Sequence, residues 1–248
     1  MNGFLTALSF LTRIPVNGPA GRPSEDGLRR CLMWFPMVGA CLGLITALVF
    51  MTARMGFPPL IAAGLALLVE LRLSGAMHED ALGDSSDAFG GGWKREDVLR
   101  IMKDSRLGTY GVSALIFGIG LRWVGITYLG DDLAPFAIVG AAALARLLVV
   151  VHLHQIPAAS GRGGLSDTWP AGSDLPVKQA AILTLPACLP ILVLAPVRTL
   201  VAMGLCWSAH VVWGRYVQKR IGGRTGDTVG ALAFAAQLII TLCLVYRA

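Results

Sequence analysis

Long stretches free of formal charge constrain this chain more than any other feature, because about 20 consecutive apolar residues are what a helix needs to cross a bilayer. Cys31 to Ala53 is such a run. Weaker ones recur at Phe57 to about Ser74, Leu107 to Leu129, Leu133 to Leu153, Gln179 to Val197, Thr199 to Gly214 and Val229 to Tyr246. Charged residues make up 15% of the chain, against roughly 25% in a soluble domain, and the mean hydropathy is +0.66. Hydrocarbon offers no partner to a bare peptide group, so each run must be helical. Pro36, Pro186 and Pro190 then need neighbouring helices or waters to satisfy the backbone groups they free. The expected fold is an all-α integral membrane protein, one polytopic domain over residues 1–248 with about seven transmembrane helices. Phe4 to Leu11 is too short to cross and precedes no small-residue cleavage pattern, so residues 1–30 are expected at the interface rather than as a cleaved signal. Cys31, Cys41, Cys188, Cys206 and Cys243 all fall inside apolar runs without metal-ligand spacing and read as small hydrophobes.

Basic residues in short loops favour the cytoplasmic side. Of the 21 Lys and Arg, Arg122 and Arg146 fall within runs, where a charge usually faces a partner or an aqueous cavity. Arg54, Arg198 and Arg247 fall on one side of a seven-span arrangement, and all the others, Arg22 and Arg162 among them, on the opposite side. That second side is expected to be cytoplasmic, with the N-terminus inside and the C-terminus outside. It also receives the long polar segments Thr12 to Arg30, Gly75 to Arg106, His154 to Lys178 and Arg215 to Thr228. The expected localisation is therefore multi-pass in the cytoplasmic (inner) membrane, with catalytic loops facing the cytoplasm. Arg122 lies nearer the far side and is read as snorkelling. Arg146, with His152 and His154 nearby, is read as pointing toward the cytoplasmic site.

The segment 75–111 carries the chemistry. In a helical His78-Glu79-Asp80-Ala81-Leu82-Gly83-Asp84-Ser85-Ser86-Asp87, the aspartates at 80, 84 and 87 stand at i, i+4 and i+7 and share one face. Like charges stacked this way repel, so a cation must offset them. Hard oxygen ligands with no thiolate nearby suit magnesium or manganese, and magnesium is usually held by one or two carboxylates together with substrate phosphates. His78 either orients a carboxylate or acts as a base. The plain alternative is a solvated acidic face.

Lys103-Asp104-Ser105-Arg106-Leu107-Gly108-Thr109-Tyr110-Gly111 places two cations and hydroxyls beside glycines at the start of an apolar run. Glycine lets backbone amides approach a phosphate, and amides at a helix start favour anions. A second glycine-rich element at 222–230, containing Arg224 and Asp227, opens the last run in the same way. It lacks the Gly-Lys-Ser/Thr ending of a Walker sequence, which argues against an ATPase of that class.

Together these segments resemble the cobalamin synthase family, the adenosylcobinamide-GDP ribazoletransferases. The resemblance runs from Phe10-Leu11-Thr12-Arg13-Ile14-Pro15 through Trp34-Phe35-Pro36-Met37-Val38-Gly39 to the last glycine-rich element. It is strongest at His78, Asp80, Leu82, Asp84 and Asp87, followed by Ile101 to Gly111. Ala81 and Ala88 stand where the family usually has glycine, Glu79 replaces an apolar residue, and Gln237 stands where a glutamate is common. The resemblance implies transfer of the adenosylcobinamide-phosphate group from adenosylcobinamide-GDP to alpha-ribazole or its 5′-phosphate, with release of GMP. It implies Asp80, Asp84 and Asp87 as magnesium ligands, and Lys103, Asp104, Ser105, Arg106, Arg13, Arg146, Arg224 and Asp227 around the phosphates. Asp84, Asp80 and His78 become the catalytic candidates, with an aspartate favoured over His78 as proton acceptor. The partners are those small molecules and membrane lipid; no nucleic acid is expected, and an oligomer is compatible. A CDP-alcohol phosphatidyltransferase fits less well, since Ala81-Leu82-Gly83 follows the first aspartate and the aspartate spacing is narrower. A transporter fits less well too, since no internal repeat is visible.

Overall fold

The computed structural model describes residues 3–16, 25–159 and 176–246. Arg22, Arg162, Arg247 and most of the segment His154 to Lys178 lie outside the described residues. Among the described residues the fold is helical: α1 (Gly3–Leu11), α2 (Glu25–Leu32), α3 (Phe35–Arg54), α4 (Pro59–Ser74), α5 (Met77–Gly91), α6 (Arg95–Ile101), α7 (Thr109–Tyr128), α8 (Ala134–Gln155), α9 (Val177–Leu194), α10 (Pro196–Ile221) and α11 (Gly226–Val245).

Five helices, α3, α7, α8, α9 and α11, are long and apolar enough to cross a membrane, and a sixth span results if α4 and α5, bent by 86° at their junction, are one broken crossing. Two of the seven expected runs therefore differ from simple spans. The run from Phe57 folds as α4, whose 16 residues reach about 24 Å at 1.5 Å per residue, short of a hydrocarbon core of about 30 Å. The run from Thr199 lies inside α10, where Arg198, Arg215, Lys219 and Arg220 dilute the apolar character.

The centre of the bundle is the α3–α8 pair. Gly39 and Gly43, one turn apart, face α8 so closely that a Cβ at Gly39 would stand 2.5 Å from the Ala142 carbonyl oxygen and one at Gly43 2.8 Å from the Val139 Cα. Ala137, Ala141, Ala142 and Ala145 of α8 are buried in the same core. Lipid tails are as apolar as leucine, so membrane helices gain by close backbone approach between small residues rather than by burying large ones.

Several charged residues are buried among the described helices, and two of them pair directly. Arg122 of α7 is 3% exposed and Glu70 of α4 is 4% exposed; Arg122 Nη2 donates to both oxygens of Glu70, at 2.9 and 2.8 Å. Gln237 of α11 donates to Glu70 Oε1 at 3.4 Å. Arg122 does not snorkel, as its sequence position suggested, because a carboxylate from another helix meets it at depth. Glu79 Oε2 and Arg122 Nε are buried without a hydrogen-bond partner among the described residues. Both residues line a cavity of about 10 Å³, roughly the space of one water.

The two ends of the bundle differ. One end holds the Arg54–Asp131 ion pair (2.7 Å) and the Arg198 contact with the Leu244 carbonyl. The opposite end gathers α5, α6, the turn 102–108 and the turn after α10, joined by hydrogen bonds from Arg95 Nε to the Ile221 carbonyl and from Arg220 Nη2 to the Gly92 carbonyl.

Neutralising one member of a buried ion pair leaves the other uncompensated and costs about 3–5 kcal/mol. Glu70→Gln is therefore expected to lower the thermal unfolding temperature of the purified protein markedly, and Glu70→Gln combined with Arg122→Gln to recover part of the loss. Equal stability of the single and double variants in a melting assay would show that the charges are not coupled.

Candidate active site

The approach to the site begins at the α4–α5 junction. Gly75 caps α4 in the left-handed region (φ 67°), and Ala76 follows at φ 55°, a conformation that costs a residue bearing a Cβ roughly 1–2 kcal/mol. Two left-handed residues in succession turn the chain sharply, which is how α5 leaves the direction of α4. A Cβ at Gly75 would meet the Arg13 side chain 2.5 Å away. The Arg13 amide also donates to the Leu73 carbonyl at 2.7 Å. The segment after α1 is thus bound to this bend, and exposed Arg13 stands beside the start of α5.

The acidic segment is helical over Met77–Gly91, so Asp80, Asp84 and Asp87 share a face. Asp80 is exposed and Asp84 and Asp87 are half-buried, while His78, Glu79, Ala81, Gly83, Ser85 and Ala88 point inward. Ala81 meets α11 at Gly230, where a Cβ would stand 2.5 Å from the Ala81 methyl. From Ala81 onward the inward positions are small residues, Ala81, Gly83, Ser85 and Ala88, which leaves Asp84 and Asp87 on the outer side.

Asp87 caps α7. Its Oδ2 accepts from the Gly108 amide at 2.6 Å and its Oδ1 from the Gly111 amide at 2.8 Å. An acidic side chain here satisfies amides that a helix start leaves without partners and complements the positive end of the helix dipole. A Cβ at Gly108 would come within 2.6 Å of Asp87 Oδ1, and one at Gly111 would press on Oδ2. Glycine at both positions permits this approach.

Lys103, Ser105 and Arg106 are exposed in the turn before α7. Arg106 binds Asp104 through Nε at 3.0 Å and Nη2 at 2.7 Å. Asp104 is held low, at about 2, chiefly by the hydrogen bond from the Arg106 side chain and then by that from the Arg106 amide. The turn after α10 approaches α6, since Thr225 Oγ1 meets Met102 Sδ at 3.3 Å. Thr225 and Thr228 form a capping box that starts α11, with Asp227 half-buried in its first turn. Arg224 is fully buried, and its backbone bonds to Pro157 and Ala159.

The structure thus brings together at one end Arg13, the three aspartates, the turn 103–106 and the start of α11. Arg146 lies beneath this face rather than on it: it is 1% exposed, with Nη2 donating to His78 Nδ1 at 3.4 Å and Nη1 facing the Ala142 carbonyl at 3.4 Å. His152 pairs with His210 (Nδ1 to Nδ1, 3.0 Å), which in turn meets Gln155 Oε1 at 2.8 Å. Glu70 was missed in the sequence. A lone acid within an apolar run, set against a lone arginine in another, is the signal that would have paired it with Arg122.

For magnesium, the chemistry of the donor set fits: carboxylates one helical turn apart on an accessible face, with no thiolate on it. Among the described residues no three His, Cys, Asp or Glu side chains converge into a group that would hold an ion unaided. An ion completed by substrate phosphates needs only one or two of them.

A family model described as cobalamin-5-phosphate synthase matches residues 3–245. The chain is 38% identical to an adenosylcobinamide-GDP ribazoletransferase of Bradyrhizobium diazoefficiens, over 95% of this chain and 90% of the relative. It is 39% identical to the enzyme of that name from Azorhizobium caulinodans, over 91% and 88%. For the one from Shewanella frigidimarina the identity is 37%, over 98% and 92%. No solved structure matches.

Because the folded-state value of Asp104 lies below its ordinary 3.8, the Asp104–Arg106 pairing is complete above pH 3.8 and is lost as the pH falls through about 2. Carbon-13 titration of the Asp104 carboxyl should show this low midpoint, and Arg106→Gln should return it toward 3.8. An unchanged midpoint in that variant would exclude Arg106 as the cause.

Proposed function

The chain belongs to the cobalamin-5-phosphate synthase family, and from that premise we infer that it joins adenosylcobinamide-GDP to alpha-ribazole or its 5′-phosphate and releases GMP. The observation that carries the reading is the helix α5, whose three aspartates share one face beside the Asp87-capped start of α7, within a family match that spans the chain. In the reaction a ribose hydroxyl attacks the cobinamide-linked phosphorus of the diphosphate. The new P–O bond forms as the bond to GMP breaks in line, and the hydroxyl proton passes to a protein base.

Phosphoryl transfer of this kind is largely a matter of positioning and charge neutralisation. Magnesium, held by Asp80, Asp84 and Asp87 together with phosphate oxygens, would neutralise the diphosphate and polarise the phosphorus. Lys103 and Arg106 face solvent beside this helix and supply cations to the leaving phosphate; Arg106 would exchange Asp104 for it. Arg13, tied to the bend at Gly75, adds a cation at the front of α5. Ser105, Asp227 and the turn containing Arg224 border the same end.

An aspartate serves better than His78 as the proton acceptor. A guanidinium only donates hydrogen bonds, so the contact from Arg146 engages the Nδ1 lone pair of His78, and His78 is 4% exposed. Both Asp87 oxygens already accept amide hydrogens. Of the three aspartates Asp80 is the one exposed to solvent, and His78 and Arg146 orient α5 from beneath.

The localisation proposed is the cytoplasmic (inner) membrane, with the aspartate face toward the cytoplasm. It is supported by the basic residues at 94, 95, 100, 103, 106, 219, 220 and 224, which gather at that end of the bundle, against Arg54 and Arg198 at the other.

Purified protein in detergent, given adenosylcobinamide-GDP, alpha-ribazole and magnesium, should produce GMP and a cobalamin, and chelation should stop it. Asp84→Asn should lower turnover by about a hundred- to a thousandfold, the scale of losing one main electrostatic group, while the protein still inserts and melts normally. Near-normal turnover of Asp84→Asn would sink the metal reading. Thiol labelling from outside intact cells, on a background with the native cysteines replaced, should modify a cysteine at Asp131 and spare one at Lys103; the reverse pattern would invert the topology.

A further inference from the structure

At the end of the bundle away from the aspartates, α10 and α11 leave a groove of about 620 Å³ between them. Val197, Val201 and Leu205 line it from α10, at i, i+4 and i+8, forming one stripe about 12 Å long at 1.5 Å per residue. Leu242 lines it from α11, and Arg198 and Tyr246 line it where α10 begins and α11 has finished. The walls are bare: Val197 is 72% exposed, Val201 51% and Leu205 49%.

Arg198 is not a loose surface cation. Its Nη1 donates to the Leu244 carbonyl in the last turn of α11, at 3.2 Å, which fixes one edge of the guanidinium against the neighbouring helix. A guanidinium carries five N–H donors in a planar fork, so among the described residues the other edge remains to donate, and that fork matches the oxygens of a phosphate. Arg198 and Tyr246 both lie at the helix ends, where α10 begins and α11 has finished. An amphipathic phenol and a cation at this level are what a membrane–water interface favours.

We propose that this groove is a binding site for one phospholipid of the leaflet opposite the aspartate face, with the lipid phosphate on Arg198 and an acyl chain against Val197, Val201, Leu205 and Leu242. The site lies beyond the reaction described above and does not depend on it. Charge complementarity selects the occupant. The groove is an apolar slot that ends in a fixed cation at the depth of the headgroups, and a phospholipid is apolar along its chain and anionic at that same depth. A second copy of the chain fits less well, because an isologous contact through this face would bring two Arg198 guanidiniums toward each other. One wall belongs to α11, which is long and apolar enough to cross a membrane, so a lipid lying along it loses little freedom it has not already lost to the bilayer, and the phosphate contact decides which molecule stays.

The test uses the full-length protein in detergent, with native mass spectrometry reading phosphatidylglycerol retained per chain as the lipid is titrated. The unaltered protein should hold one molecule after delipidation. Arg198→Gln, which removes the phosphate donor, and Val201→Trp, which fills the slot while leaving the cation, should each weaken retention about tenfold, equivalent to roughly 1.4 kcal/mol. Arg198→Lys should fall between, since an ammonium keeps the charge and loses the fork. Melting temperature and turnover of all three should match those of the parent, so that a loss of lipid is separated from a loss of fold. The proposal is overturned if the parent retains no lipid, if Arg198→Gln retains lipid as the parent does, or if a dimer that Val201→Trp dissociates is found in place of bound lipid.

Discussion

Arg122 and Glu70 are held together inside an apolar bundle, and most of the arrangement follows from the need to keep them so. A guanidinium and a carboxylate removed from water are each costly, and only close pairing with further hydrogen bonds offsets the loss. The contact of Arg122 Nη2 with both Glu70 oxygens at 2.8–2.9 Å requires α4 and α7 to lie side by side in one register. The Gln237 amide, 3.4 Å from the same carboxylate, brings α11 to the pair from a third direction. Around it the remaining helices meet through small residues, Gly39 and Gly43 against α8 above all, because close backbone approach is what association in lipid rewards.

This buried polar centre lies under the site rather than in it. Arg146 reaches from α8 to His78, at the beginning of α5, and Glu79 lines the cavity beside Arg122. The first turn of α5 is thereby held from inside, while Asp80 in the same turn faces out. The 86° bend is made by Gly75 and Ala76, both left-handed. Strain of this kind persists only where the surroundings over-determine it, and here Arg13 packs on one side of the bend and the buried charges on the other. Asp87 then ties the far end of α5 to the start of α7. The aspartates thus ride on a helix fixed at both ends, the rigidity that a site working by positioning requires.

Periodicity made the aspartate face legible, since 80, 84 and 87 fall on one side of any helix, and hydropathy made the apolar helices legible because their runs are unbroken. The count of spans was less legible. Phe57 to Ser74 is apolar enough but too short, and Thr199 to Gly214 belongs to a longer helix with charges at both ends. Glu70 escaped notice because one acid does not interrupt an apolar run on average. Arg122 looks like a snorkelling cation in the sequence because its partner lies 52 residues away, beyond any local pattern. Arg146 and Arg224, grouped with the phosphate ligands by sequence, are buried, and Asp87 has a second duty as the cap of α7 that no spacing revealed.

By itself the sequence determined the membrane class, the helical backbone, the shared face of the aspartates and the family, because each depends on local composition, on period or on ordered motifs. Only the tertiary structure decided which charges pair at depth, which way α5 leaves α4 and which polar residues face the outside. These depend on helices far apart in the chain meeting at angstrom distances, where the presence or absence of one partner decides whether a buried charge is bearable.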